Sequence, residues 1–320
     1  MYIEVQLRSG RKYYYLVENV RSNGHWKKIK VYLGSNLAAG RAKELASAKK
    51  KILEEKVDSY AKTSDPLLSL VQPSEAKALD EAKRLYAMAI RRMNKSMLRN
   101  QYMDFLISFT YNTNAIEGST LSLLDTKFLL EDRIAPDGKT IREINEAQNH
   151  KDAFDYMISY EGSLTKSFVL KLHKLLMHSI LWKQAGTFRD VHVKLAGVDK
   201  ILPPPSDIAS KFKDLTLWHA RNQNRYHPIV STAYFHYAFE SIHPFRDGNG
   251  RVGRLIINHM LKKSGFPMID IKYRDRRTYY GALQSGDDGN LRPLVKMFIG
   301  YVVEQARDIA NMSAPMRKAP

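Results

Sequence analysis

The 320-residue chain has 51 Lys and Arg against 33 Asp and Glu, a formal net charge of +18, and no cysteine. The missing thiols exclude disulfides, thiolate metal sites and a cysteine nucleophile, and they suit a reducing, cytoplasmic setting. No run nears the ~18 apolar residues of a membrane span, and the opening Met-Tyr-Ile-Glu-Val-Gln-Leu lacks the layout of a signal peptide.

In chain order, residues 1–35 predict a small antiparallel meander. Ile3, Val5 and Leu7 alternate with Glu4, Gln6 and Arg8, the period of a half-buried strand. Ser9-Gly10 marks a turn, Tyr13–Val17 is β-prone, Ser22-Asn23-Gly24 marks a second turn, and Ile29, Val31 and Leu33 alternate again. A basic helix over roughly Arg41–Lys56 follows. Residues 1–60 hold 13 Lys/Arg against 6 Asp/Glu. Lys27, Lys28, Lys30, Arg41, Lys43 and Lys49–Lys51, with Tyr13–Tyr15 and Trp26, offer a nucleic acid both charge and stacking faces. They offer a docking protein the same charge.

From about Ser74 the signals are helical, and the chain is mainly α. Thr140-Ile-Arg-Glu143 is a capping box, Ser206 reads as the cap of a helix after Pro203–Pro205, and Pro228 suits a first helical turn. That helix ends near His243, because the residue before Pro244 is pushed out of the α region. The next begins around Gly250, buries Val252, Leu255, Ile256 and Met260, and stops at Gly265. Two more helices are predicted over 276–285 and 291–310. Val191-His-Val-Lys-Leu195 reads as one arm of a hairpin. His173, His178, His219, His236 and His259 lack partners at metal spacing, and His227 reads as a cap-region residue.

Asp247-Gly248-Asn249-Gly250 lies between two of these helices. Glycines at alternate positions leave backbone N–H groups unobstructed, the makings of an anion nest, and the loop feeds a helix N-terminus that favours phosphate. Arg251 and Arg254 share a face, and helical side chains lean toward the N-terminus, so Arg254 reaches back to the loop. His243 is suited to act as a general base, and Asp247 is a hard oxygen ligand suited to Mg²⁺. The combination describes a phosphoryl or nucleotidyl transfer site. Gly248-x-Gly250-x-x-Gly253, with Asp270 downstream, matches the dinucleotide fingerprint literally, but that motif must follow a strand, and 229–242 is helix-patterned. No P-loop is present, and an EF-hand fails for want of a sixth-position glycine.

His243-Pro-Phe-Arg-Asp-Gly-Asn-Gly-Arg-Val-Gly-Arg254 resembles the Fic motif at every defined position, and the likeness extends over about 97–310. The resemblance implies an all-helical Fic core with a β-hairpin flap, and a protein adenylyltransferase acting with ATP and Mg²⁺ on a Ser, Thr or Tyr hydroxyl. It implies His243 as base, Asp247 as Mg²⁺ ligand, and Gly248, Asn249, Gly250 and Arg251 as the phosphate cradle within a nucleotide site that includes Phe245 and Arg246. Arg254 would meet the γ-phosphate, Tyr279 and Tyr280 would wall the adenine, and Asp287 stands where many members carry Asn. Thr113-Asn-Ala-Ile-Glu117-Gly118 resembles the family's inhibitory helix, with Glu117 pairing with Arg254. Val193, Lys194, Leu195, Ala196 and Gly197 occupy the place of the target-positioning flap, and Gly186–Arg189 also fits. The resulting division is a basic module 1–60, a helical linker with the inhibitory helix 61–118, a Fic core 119–312 and a tail 313–320. Removal of AMP, transfer of another nucleotidyl group, self-modification, homodimer formation and a nucleic-acid-associated regulatory role stay open. The protein target is not legible.

Overall fold

A computed structural model of the chain describes residues 1–22, 25–194 and 200–313 and divides into two compact units, Met1–Leu70 and Val71–Pro320. In the first, β1 (Tyr2–Arg8), β2 (Arg11–Ser22) and β3 (His25–Ser35) form the expected antiparallel meander in the order β1-β2-β3. Ser9 and Gly10 both take positive φ, 47° and 73°, which gives a two-residue turn the twist its strands need. Asn23 and Gly24 of the second turn lie outside the described residues. Leu16, Val31 and Leu33 from one sheet face pack with Leu53. The single basic helix expected after the sheet is two, α1 (Ala39–Ala48) and α2 (Lys50–Ser64), because Lys49 leaves helical geometry at ψ 5°. Glu4 bonds both Lys28 at 2.7 Å and Lys30 at 2.6 Å. Two of the cations read as nucleic-acid contacts are therefore already matched by a carboxylate.

The second unit is helical: α3 (Pro73–Arg92), α4 (Lys95–Ile116), α5 (Leu123–Lys127), α6 (Ile141–Ser159), α7 (Lys166–Met177), α8 (Pro205–Asn222), α9 (Pro228–Ile242), α10 (Asn249–Lys263), α11 (Arg276–Asp287) and α12 (Arg292–Met312). Helix α9 buries Ile229, Val230, Ala233, Phe235, Phe239 and Ile242. A helix apolar on every side belongs in the centre, and α9 is surrounded by α8, α10 and α12. The capping box at α6 forms, with the Glu143 N–H donating to Thr140 Oγ1 at 3.2 Å and the Thr140 N–H to Glu143 Oε2 at 3.1 Å. Ser206 does not cap α8. The helix starts one residue earlier, at Pro205, whose fixed φ suits a first position, and Ser206 Oγ turns to Asp207 instead.

Helix α4 is clamped to the chain after α10 by a buried carboxylate. Asp270 Oδ2 accepts from Ser108 Oγ at 2.6 Å, Asn112 Nδ2 at 2.8 Å and Lys272 Nζ at 2.7 Å. Asn112 Oδ1 then takes the Tyr273 N–H at 2.9 Å.

The hairpin arm expected at 191–195 is not a strand where it is described: Val191–Lys194 and Lys200–Pro204 are irregular. Arg189 supplies the reason. Its Nη1 donates to the Val191 carbonyl at 2.9 Å and its Nη2 to the Pro203 carbonyl at 2.7 Å, so one guanidinium takes the place of a ladder. Leu195, Ala196 and Gly197 lie outside the described residues. No helix among the described residues is long and apolar enough to cross a membrane.

Candidate active site

The helix α9 cannot continue through His243-Pro244. His243 takes a left-handed conformation, φ 49° and ψ 62°, while its N–H still caps the Phe239 carbonyl. The loop that follows is held shut from inside. Asn249 Oδ1 accepts from the Phe245 N–H and its Nδ2 donates to the Phe245 carbonyl, both at 2.9 Å. Phe245 is wholly buried and stacks on His173 at 3.8 Å. His173 receives the Gly186 N–H on Nδ1 at 2.9 Å and faces the Asp247 carbonyl through Nε2 at 3.1 Å. Phe245 and the Asn249 amide therefore build the loop and leave its backbone to meet a ligand.

Gly248 takes φ 80° at the start of α10. The N–H groups of the first helical turn have no intrahelical partner, and among the described residues nothing accepts from those of Asn249, Gly250 or Arg251. Against Gly250 of that turn lies a carboxylate. A Cβ on Gly250 would fall 2.3 Å from Glu117 Oε1 and 2.9 Å from Arg254 Nη1. Arg254 does lean back over the loop. Its Nε donates to Thr113 Oγ1 at 2.7 Å, and its Nη2 donates to the Thr113 carbonyl at 3.1 Å and to Glu117 Oε1 at 2.6 Å. The ion pair engages one carboxylate oxygen and is not bidentate. Burial alone would disfavour charged Arg254, but Glu117, with Tyr279 and Tyr280, more than offsets it and raises the guanidinium above its ordinary value. Glu117 ends α4, and Gly118, at φ 103°, turns the chain away.

Beside the cradle stands a lattice of four charges. Arg142 Nη2 meets Asp247 Oδ2 at 2.9 Å, Arg251 Nη2 meets Asp247 Oδ1 at 3.4 Å, and Glu146 Oε1 bridges Arg142 at 3.1 Å and Arg251 at 3.3 Å. Asp247 keeps 38% of its side chain exposed, while Arg251 is buried. A half-exposed carboxylate at a phosphate nest fits Mg²⁺, which takes few protein ligands.

His243 is mostly buried. Burial pushes its imidazole down to about 4, against the opposing pull of the Glu240 carbonyl. It is neutral near pH 7, the form a base requires. Its own carbonyl accepts from Arg189 Nε at 2.8 Å, so the same guanidinium that holds Val191 and Pro203 also holds the loop that follows α9. In the sequence Arg189 stands out only as the end of Gly186–Arg189, and neither Arg142 nor Glu146 stands out as a site residue. Their partners lie far along the chain, which a single sequence does not disclose.

The remaining candidates divide. Tyr279 is fully buried, with its hydroxyl 2.6 Å from His236 Nε2 and its ring 6.0 Å below the Arg254 guanidinium. It supports the arginine, and only Tyr280 presents an exposed face. Arg246 turns to Asp190, with Nε 3.1 Å from Oδ1. Asp287 Oδ1 receives Tyr237 Oη at 3.1 Å and pairs with Lys200, whose Nζ also reaches Ser241 Oγ at 2.9 Å. The dinucleotide-fold reading is excluded, since a helix precedes the glycines.

The fold and the loop define a class: a helical domain with an unfilled helix N-terminus beside a buried, neutral histidine. The Fic/DOC family profile matches residues 163–261. The chain is 33% identical over 252 residues to the protein adenylyltransferase Fic of Drosophila mojavensis, covering 78% of this chain and 49% of that protein. It is 28% identical over 265 residues to the protein of the same name from Nematostella vectensis, covering 78% and 61%. Among solved structures, Fic-1 (aa134 - 508) from C. elegans superposes with a TM-score of 0.66 at 24% identity, over 86% of this chain and 78% of that one. A Fic domain containing signaling protein from Bacteroides thetaiotaomicron gives 0.69 at 22% identity, over 74% and 97%. Residues 163–261 therefore carry a Fic/DOC domain. The chain spans about half the length of the curated relatives it matches.

Proposed function

We propose that this protein transfers AMP from ATP to a hydroxyl of a target protein, and that Glu117 holds it off. One observation carries the reading: a carboxylate of the chain's own lies over the first turn of α10 and pairs with Arg254. A site that already takes an anion there is fitted to a phosphate once that carboxylate moves.

With Glu117 turned out, the free N–H groups, Arg251 and Arg254 are arranged to receive the polyphosphate. Asp247 would hold Mg²⁺ after Arg142 gives up Oδ2, and the ion would supply charge neutralisation on the α- and β-phosphates. Neutral His243 takes the proton of the target hydroxyl as its oxygen attacks the α-phosphorus. The bond from that phosphorus to the bridging oxygen breaks, pyrophosphate leaves, and the proton stays on the imidazole. Val193 and Lys194, with the flap that follows, would position the target segment by main-chain bonds. A reducing, cytoplasmic setting suits the cysteine-free chain. Removal of AMP is a second reading, favoured by the same carboxylate: Arg254 engages Glu117 Oε1 alone, which would leave Oε2 to orient a water.

The test is labelled ATP with a matching lysate. Glu117→Gly should raise labelling roughly tenfold or more, the effect of freeing about 1.4 kcal/mol of competition for the cradle. His243→Ala should abolish it. Label that survives His243→Ala, or a Glu117→Gly protein no more active than wild type, would sink the assignment.

A further inference from the structure

The face of the meander that turns away from α1 and α2 carries aromatic rings and cations. Leu16, Val31 and Leu33 pack inward with Leu53, and Tyr14 and Ile29 pack against them. Side chains alternate along a strand, so Tyr13, Tyr15 and Tyr32 take the outer face. The register sets Tyr15 between Glu4 on β1 and Tyr32 on β3. The Tyr32 ring lies 5.5 Å from Tyr15 and 6.4 Å from Tyr13, and Tyr32 is 46% exposed. A cluster of rings on the outside of a sheet is a surface for stacking, and every nucleobase has a π-face to place there.

Cations flank the rings at both ends. Arg8 and Arg11, both exposed, stand directly opposite each other where β1 turns into β2. Like charges so placed destabilise a sheet, and a phosphate over the pair would reverse the sign. Arg8 donates to Gln6 at 3.0 Å, and neither arginine has a carboxylate at ion-pair distance among the described residues. At the far end Glu4 holds Lys28 and Lys30 on this face. An ammonium has three donors, so one carboxylate does not exhaust the pair, and Lys30 also lies 5.7 Å from the Tyr15 ring. Arg11 is separated along β2 from Val17, the partner of Lys30, by about 20 Å. That is room for the ~4 nucleotides of a small single-strand site. The excess of 13 Lys/Arg over 6 Asp/Glu in residues 1–60 complements a polyanion.

We propose that this sheet face binds single-stranded nucleic acid, stacking bases on Tyr13, Tyr15 and Tyr32 and meeting phosphates with Arg8, Arg11, Lys28 and Lys30. A closed duplex hides its base faces, so exposed rings favour an unpaired strand. The inference does not depend on AMP transfer.

The test is the fluorescence anisotropy of a labelled oligo-dT strand of about 12 nucleotides with the full chain. A Kd below about 100 μM is expected at ~50 mM salt, weakening at least tenfold at ~200 mM. Tyr32→Phe keeps the stacking face and should bind as wild type does, whereas Tyr32→Ala should lose roughly fivefold or more. Arg8→Gln with Arg11→Gln relieves a like-charge pair. That protein should therefore melt no lower than wild type, while its binding weakens about tenfold and its salt dependence flattens. The proposal fails if nothing binds at ~50 mM salt, or if Tyr32→Ala and the double arginine variant both bind as wild type does. It fails if a duplex of the same length displaces the strand as well as unlabelled strand does. Equal displacement by poly-glutamate would assign the face to an acidic protein instead, and loss of binding in Arg254→Ala would place the strand in the nucleotide cradle.

Discussion

One methyl group at Gly250 would lie 2.3 Å from the Glu117 carboxylate, closer than non-bonded packing allows, and neither the carboxylate nor a phosphate could then rest on the helix end. Gly250→Ala is therefore expected to differ from Glu117→Gly, although both remove the same ion-pair geometry. Glu117→Gly should strengthen nucleotide binding. Gly250→Ala should weaken it at least tenfold, or by about 1.4 kcal/mol, as read by calorimetry with a non-hydrolysable ATP analogue. Equal affinity in Gly250→Ala and wild type would show that the phosphates do not use this turn. Gly253 has a different reason for being small: a Cβ there would fall 2.6 Å from the buried Glu240 Oε1. Both glycines are visible in the motif, but only packing separates the one that faces a ligand from the one that faces a carboxyl.

At the scale of elements, local chemistry is legible in the sequence and long-range chemistry is not. The Thr140 capping box, the end of α9 before Pro244, the Ser9-Gly10 turn and the places of the three strands follow short-range rules, and each appears in the structure, although Val5 and Leu7 of β1 are exposed and not half-buried. Arg189 follows no such rule, since it joins Val191, Pro203 and His243 through carbonyls that any residue carries. Nor can Arg142 be matched in advance to Asp247, 105 positions away. The segment at 191–195 alternates like a strand, yet Arg189 takes the carbonyls a ladder would need. Arg189→Met should preserve ATP binding while raising the KM for the target protein and lowering kcat, together about tenfold or more. Steady-state kinetics with a defined target would measure it, and unchanged values for both constants would remove Arg189 from the machinery.

Across the whole molecule, burial governs which groups carry protons. His150 and His236 are pushed down to about 3, and His173, His243 and His259 to about 4, in each case chiefly by desolvation. The unfolded chain would bind protons at its ordinary histidine value near 6.5, which the folded chain refuses. Their stabilisation is therefore complete above about pH 6.5 and is lost as pH falls through 4. Glu240 runs the other way. Burial pushes its carboxyl up to about 8, so its contribution is lost as pH rises through that value. The thermal midpoint should peak near neutrality and drop by roughly 5 °C or more between pH 7 and pH 4.5. A flat profile over that range would contradict the neutral, buried state of these rings. The acid limb of activity should likewise follow His243 near 4 and not the ordinary 6.5.

The clamp on α4 bears on how the cradle beside Glu117 can open. Ser108 and Asn112 tie that helix to Asp270, so the helix body has nowhere to go, while Glu117 sits at its very end with a third of its side chain exposed. Opening the cradle then requires rotation about the bonds of one side chain, a motion of picoseconds to nanoseconds for exposed groups, and not the microsecond-to-millisecond travel of a domain. On the proposed function, occupancy of the cradle is decided by competition between a tethered carboxylate and a dissolved phosphate. On that reading, a rise in free nucleotide would be answered on the timescale of one side chain's motion.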